Sequence, residues 1–312
     1  MPVHDDLGKR MKEFYEQVPK ARLVRRMPVA IRIDGKAFHT FTRGFCKPFD
    51  EVLIKAMQET TKYLCENIQG CVLGYTQSDE ITLILVDYKN LNSSAWFDYE
   101  VQKMCSISAS MATMAFSKAF KCAMTEWWNG IMTEWWNTTV DSPESEDFAN
   151  SFEYQVADTL LTTYANALNK GATFDARVFN IPKEEVANLI YWRQLDATRN
   201  SIQMVGQANF SHRELQGRSC NEIQDMLHEQ KGINWNDFPT HQKRGSCCVK
   251  SMTTCTYAST DDAGNVATGA SERPHWYIDL EIPIFKAEGR EYINKLIDYC
   301  DCPCGTQAVT IN

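Results

Sequence analysis

The sequence predicts an α+β fold: a split β-α-β antiparallel sheet with helices on one face. Three observations carry that prediction. "MPVAIRID" alternates Val29, Ile31 and Ile33 with Ala30, Arg32 and Asp34, the period of a strand with one apolar face. "FDEVLIKAMQETTKYLCENI" spaces Val52, Ala56, Met57, Leu64 and Ile68 along one side of a helix and stops at Gly70. "CVLGYTQSDEITLILV" reads as two strands joined by a tight polar turn centred on Gln77 and Ser78. Strand, helix, hairpin and helix in this order leave the second face of the sheet open for a substrate.

The later elements extend the same scheme. "WFDYEVQKMCSISASMATMAFSKAF" is a long helix rich in small residues, suited to close packing on a sheet, and "ATFDARVFNI" is the strand that completes the core. Between them lies "MTEWWNGIMTEWWNTTVDSPESEDFAN", a repeated six-residue unit followed by an acidic segment with the composition of a surface loop. Packing of Trp127, Trp128, Trp135 and Trp136 onto the body is expected before any stacking on RNA bases. "KEEVANLIYWRQLDATRNSIQMVGQANF" is a further helix, and strands follow around "GSCCVKSMTTCTY" and "PHWYIDLEIPIF" with "STDDAGNVATGAS" as an exposed hairpin loop. The expected organisation is a catalytic core over 1–123, a Trp-rich insert and acidic loop over 124–150, and the rest of the core with a helical and strand region over 151–312.

Composition bounds the function. With 312 residues, 44% hydrophobic and 23% charged, the chain buries a core rather than remaining disordered. No apolar run approaches the roughly 20 residues that span a bilayer, and "MPVHDDLGKRMKEF" lacks the layout of a signal peptide, so no membrane partner and a cytoplasmic location are expected. The twelve cysteines then read as thiols, including the C-x-C-x-C cluster Cys300, Cys302 and Cys304, whose spacing differs from that of structural zinc sites. A formal net charge of -8 excludes a surface coated in positive charge for nucleic acid, so a polyanion must meet a local patch such as "PKARLVRR".

The chemistry rests on carboxylates. Asp34 ends a strand and Asp79 with Glu80 occupies a hairpin turn, and neighbouring strands can bring them together. Carboxylates converging on an open sheet face suit two Mg²⁺ ions, which keep several waters and take remaining ligands from phosphates. Phosphoryl or nucleotidyl transfer is the expected chemistry. Lys36, His39, Arg43 and Lys47 follow Asp34 closely, where cations can neutralise the remaining oxygens of a triphosphate.

"IRIDGKAFHTFT", "CKPFD", "GYTQSDEITLIL", "YWRQLDATRNSI" and "HRELQGRSCNEIQDMLHEQKGINWND" resemble the tRNA(His) guanylyltransferase superfamily, in particular its bacterial-type branch of tRNA 5′-end repair polymerases. The resemblance runs from about Leu7 to Lys250 and implies a polymerase-palm-like core that adds nucleotides in the 3′-to-5′ direction. It implies that Asp34 and Asp79 ligate both Mg²⁺ ions with help from the Gly35 carbonyl, and that Glu80 joins them as a catalytic residue. Lys36, Ala37, Phe38, His39, Lys47, Asp50, Ser78 and Lys103 match positions that handle nucleotide, with ATP and GTP as substrates. Arg177, Arg193, Gln194, Arg199 and Asn200 match segments associated with tRNA.

Where the eukaryotic enzymes carry His-Ile-Asn-Asn, this chain has Thr198, Arg199, Asn200 and Ser201. The resemblance then implies repair of 5′-truncated tRNA by copying the facing strand, rather than dedicated G addition to tRNA(His). It also implies a homotetramer. The same carboxylates would serve a palm-type nucleotidyl transferase or cyclase acting on free nucleotides, and a binding module without turnover is the reading from a different class.

Overall fold

The computed structural model describes residues 6–139, 152–260 and 266–298. Six strands form one antiparallel sheet: β1 (Val29–Gly35), β2 (Cys71–Gln77), β3 (Glu80–Leu85), β4 (Phe174–Asn180), β5 (Ser246–Thr260) and β6 (Val266–Asp279), in the order β4-β1-β3-β2-β5-β6. β1 lies inside the sheet, and its register sets Asp34 between Glu80 of β3 and Asp175 of β4. Cross-strand partners share a face, so one pleat row carries three carboxylates.

Ten α-helices accompany the sheet among the described residues: α1 (Asp6–Met11), α2 (Phe38–Phe41), α3 (Glu51–Asn67), α4 (Val101–Thr139), α5 (Phe152–Lys170), α6 (Lys183–Asn209), α7 (His212–Leu215), α8 (Cys220–Lys231), α9 (Thr240–Arg244) and α10 (Glu291–Ile297). α3 and α4 cover one face, where Ile31, Ile33, Leu83 and Leu85 meet Ala56, Leu64, Ala112 and Phe116. Ser108 and Ala112 are fully buried on α4, so the small residues do permit the close approach expected of them.

The α+β class stands, but the expectation that the second face lies open is corrected. α6 and α10 cover much of it, with Val186, Ile190 and Ile293 packed against Ala30, Leu73 and Ile84. The reason is visible in β3, where Ile81 to Leu85 are all buried: such a strand has apolar residues on both faces and needs a layer on each. Fully burying a side chain such as Ile84 stabilises the fold by about 1.5–3 kcal/mol, so the second layer is strongly favoured. Toward the Asp34 end that layer turns polar, and Arg32 and Glu80 of the sheet meet Arg193 and Asp196 of α6.

α4 continues through both copies of the tryptophan repeat. The copies begin eight residues apart, which in a helix means about 12 Å of rise and about 80° of rotation. They therefore meet different surroundings. Trp127 stands edge-on to Tyr164 of α5 at 5.4 Å, whereas Trp136 is 61% exposed. The acidic segment after α4, the tip of the β5–β6 hairpin and the Cys300–Cys304 cluster lie outside the described residues. The basic stretch before β1 is partly paired already, Arg22 and Arg25 with the exposed Asp98 and Arg25 also with the buried Asp87. Among the described residues no helix is long and apolar enough to cross a membrane.

Candidate active site

The end of β1 is tied to the β2–β3 turn by backbone. Gly35 N–H donates to the Asp79 carbonyl at 3.1 Å, and Lys36 N–H donates to Thr173 at 2.9 Å, so the two acidic segments hold a common frame. Gly35 is required by packing: a Cβ there would come within 2.3 Å of the Phe38 ring. The chain then turns through Ala37 in the left-handed region (φ 54°, ψ 39°) into the single turn of α2. Phe38 and Phe41 anchor that turn in an aromatic cluster with Phe116 of α4, at ring distances of 5.5 Å each. The backbone from Lys36 to His39 is thus a rigid wall rather than a free loop.

A cavity of ≈ 550 Å³ opens against this wall. Asp34, Gly35, Ala37, Phe38 and His39 line it, together with Ser78 and Asp79 of the β2–β3 turn. Lys47 and Asp50 also line it, and α6 contributes Met204 and Gln207, whereas Lys36 is not part of the lining. Pockets for drug-sized ligands, a class that includes nucleotides, run about 300–1,000 Å³, so the cavity has room for one nucleotide.

Charge is unevenly distributed around it. Burial, reinforced by the negative charges of Asp34 and Glu80, pushes the Asp79 carboxyl up to about 6, while its own backbone N–H and the Ser78 hydroxyl pull the other way. Burial likewise raises Glu80, against the opposing pull of Arg193 and Arg32. The two neighbours in the turn have different environments: Asp79 lines the cavity with Asp34, whereas Glu80 lies outside that lining, hydrogen-bonded to Arg193 and 3.5 Å from Arg32.

Asp34 and Asp79 both line the cavity and offer carboxylate oxygens, the donor type hard cations prefer. Among the described residues no group of three or more His, Cys, Asp or Glu forms a complete metal cage. An Mg²⁺ ion fits these terms, since it ordinarily keeps water and accepts phosphate oxygens in the remaining positions.

The remaining predicted residues divide clearly. Asp50 is buried and caps α3, accepting from Leu53 N–H (2.9 Å), Cys46 N–H (3.0 Å) and the Tyr164 hydroxyl (2.7 Å). Lys103 stands over Phe97 on the first turn of α4 and is not part of the cavity lining. Thirteen residues separate it from Phe116, which is about 20 Å along the helix. Arg193 is 5% exposed and bridges Glu80 and Asp196, and Gln194 spends both ends of its amide on the Pro283 carbonyl (2.8 Å) and Phe285 N–H (2.9 Å). Those two side chains hold the core together and do not present themselves to an RNA. Arg177 and Arg199 are exposed, each beside a carboxylate of its own element, Asp175 and Asp196, and Asn200 reaches Asp196 at 3.5 Å.

Sequence reasoning missed Met204 and Gln207 on the cavity, Tyr164 behind Asp50, and Asp175 across from Asp34. Asp175 had a signal, because it sits at the matching end of an antiparallel strand. The others had none, since their positions depend on how α5 and α6 dock.

Comparison with known proteins gives the family and the fold. A family model described as tRNAHis guanylyltransferase matches residues 8–182. A solved structure of a bacterial tRNA(His) guanylyltransferase-like protein in complex with ATP is 37% identical, covers 94% of this chain and 99% of that one, and superposes with a TM-score of 0.68. A second structure bearing that description, in complex with GTP, is 36% identical with the same coverage and a TM-score of 0.65. The tRNA(His) guanylyltransferase of Saccharomyces cerevisiae is 23% identical over 236 residues, 71% of this chain and 82% of the yeast protein.

Proposed function

The chain belongs to the tRNAHis guanylyltransferase family of nucleotidyltransferases, and from that premise we propose that it performs template-dependent repair of tRNA 5′ ends. Nucleotide addition to the 5′ end of tRNA is the activity of the family; the repair form is the narrower reading. The observation that carries the chemistry is that Asp34 and Asp79 line one cavity of nucleotide size. ATP and GTP are the proposed substrates, in keeping with the complexes of the bacterial structures.

The reaction has two displacements. A 5′-monophosphate oxygen of the RNA attacks the α-phosphorus of ATP or GTP, pyrophosphate leaves, and the end is capped by the mononucleotide. The 3′-hydroxyl of an incoming nucleoside triphosphate then gives up its proton and attacks the activated 5′ phosphorus, forming the new phosphodiester and expelling the mononucleotide. A 5′-triphosphate end needs only the attack by the 3′-hydroxyl, with pyrophosphate as the leaving group.

Within this scheme Asp34, Asp79 and the Gly35 carbonyl would hold Mg²⁺, which supplies Lewis-acid stabilisation of developing charge on phosphate oxygens. The wall from Lys36 to His39 follows the triphosphate, and Lys47 neutralises part of its charge. Tyr164 and the α3 terminus orient the Asp50 side of the cavity. Arg193 and Arg32 hold the Glu80 carboxylate outside the cavity lining, which leaves Asp34 and Asp79 as the carboxylates that face the cation. A homotetramer, in which acidic subunits converge their few basic surfaces around an RNA, is part of the same proposal.

The repair reading is supported by Thr198, Arg199, Asn200 and Ser201 standing where His-Ile-Asn-Asn is found in the eukaryotic enzymes. Purified protein incubated with Mg²⁺, labelled 5′-truncated tRNA and each triphosphate tests it. A facing C should call for G, and changing that base to A should switch the addition to U, because a mismatch leaves polar edges unpaired and misplaces the attacking hydroxyl. Efficient G addition opposite A on tRNA(His), with little response to the facing base, would instead assign the dedicated activity.

A further inference from the structure

Gln207 faces two cavities. One is the carboxylate cavity; the other, of ≈ 450 Å³, lies between α6, α7 and α8 and is lined also by Gln203, Phe210, His212, Leu215, Gln216 and Arg218. The addition proposed above brings a triphosphate and an RNA end within bonding reach of each other, and the inference rests on that reading. A carboxylate cavity of ≈ 550 Å³ has room for one nucleotide, so the RNA must be gripped immediately beside it.

The lining indicates what the second cavity takes. Phe210, 8% exposed, and the half-buried Leu215 give it an apolar floor. Gln203, Gln207 and Gln216 are exposed on its walls, and each carboxamide offers two donors and an acceptor, the groups that read the edge of an unpaired base. Its arginine, Arg218, is already paired with Glu222 at 3.0 Å. With Arg218 so engaged, the ammonium of Lys231, 5.4 Å from the Phe210 ring centroid, is the one further Lys or Arg charge found against these lining residues among the described residues, which suits a base carrying a single phosphate better than a free triphosphate.

We propose that this second cavity seats an unpaired nucleotide from the single-stranded 3′ end of the RNA, with its base on the Phe210–Leu215 floor and its edge met by the glutamines. Holding the 3′ strand there places the facing strand beside the nucleotide being added. The site is separate from the carboxylates and meets them only through Gln207.

The test is direct binding of two fluorescent acceptor-stem RNAs, one with a single-stranded 3′ overhang and one blunt, to the full chain and to its Gln203→Ala/Gln216→Ala variant. Both side chains are exposed, so thermal melting and the binding of ATP and GTP should be unchanged. The overhang RNA should bind the variant about tenfold more weakly, the expected loss for two hydrogen bonds, while the blunt RNA binds both proteins equally. Equal affinity of both proteins for the overhang RNA would overturn the proposal. A loss falling on ATP or GTP would also overturn it and make the cavity a second triphosphate site. Because binding rather than turnover is read, a protein that adds no nucleotide to any RNA would defeat the functional reading without deciding this one.

Discussion

The hydroxyl of Tyr164 on α5 donates a 2.7 Å hydrogen bond to the carboxylate of Asp50, which caps α3 and lines the carboxylate cavity. The two residues are 114 positions apart, and the bond ties the helix that follows the acidic segment to the floor of the site. Tyr164→Phe keeps the ring and removes the donor, leaving a buried carboxylate with one partner fewer. Hydrogen bonds to charged groups contribute about 1.5–3 kcal/mol, so the variant should lose about 2 kcal/mol in urea unfolding. Its KM for ATP should rise more than its kcat falls. An unchanged unfolding midpoint would show that the bond does not constrain the site.

Asp34→Asn and Asp79→Asn should each lower nucleotide addition by at least about 100-fold while melting like the parent, because each removes a carboxylate from the shared cavity. Glu80→Gln should retain more activity than either, since Glu80 is engaged with Arg193 and Arg32 outside the lining. Near-normal turnover in Asp79→Ala with loss in Glu80→Ala would reverse the assignment.

Mg²⁺ binding should depend on pH through Asp79. Its carboxyl is raised from the usual 3.8 to about 6 in the folded metal-free chain, so as pH falls through about 6 the folded state takes up a proton that the unfolded chain accepts only near pH 4. This group therefore makes the metal-free fold relatively more stable as pH drops from about 7 toward 4, and the advantage is lost as pH rises through 6. A cation must displace that proton. The rise in melting temperature produced by Mg²⁺ should be full at pH 7.5 and clearly smaller at pH 5, and equal shifts at both would rule out Asp79 as a ligand.

The two copies of the tryptophan repeat should respond differently to truncation. Trp127 packs against Tyr164 and the α3/α4 core, so Trp127→Ala should cost about 3 kcal/mol. Trp136 is 61% exposed, and Trp136→Ala should stay within about 0.5 kcal/mol. Chemical unfolding of the two variants checks this, and equal losses would mean that both copies are anchored.

What the sequence by itself determined is local. The alternation of Val29, Ile31 and Ile33 with Ala30, Arg32 and Asp34 sets the strand and puts Asp34 at its end. The spacing of Val52, Ala56, Met57, Leu64 and Ile68 sets the helix, and a polar turn between apolar runs makes the hairpin that carries Asp79. Each follows from hydrogen-bond geometry and hydrophobic period within a few residues. Tertiary structure decided the rest. Whether Glu80 faces the cavity or two arginines, whether Gln194 meets RNA or the backbone at Pro283 and Phe285, and whether Lys103 reaches a nucleotide all depend on where α4 and α6 dock. The closing of the sheet's second face has the same origin. Ile84 and Val86 require an apolar cover, but a strand's period does not say which of several distant amphipathic helices supplies it, because that choice is made by packing between segments about a hundred residues apart.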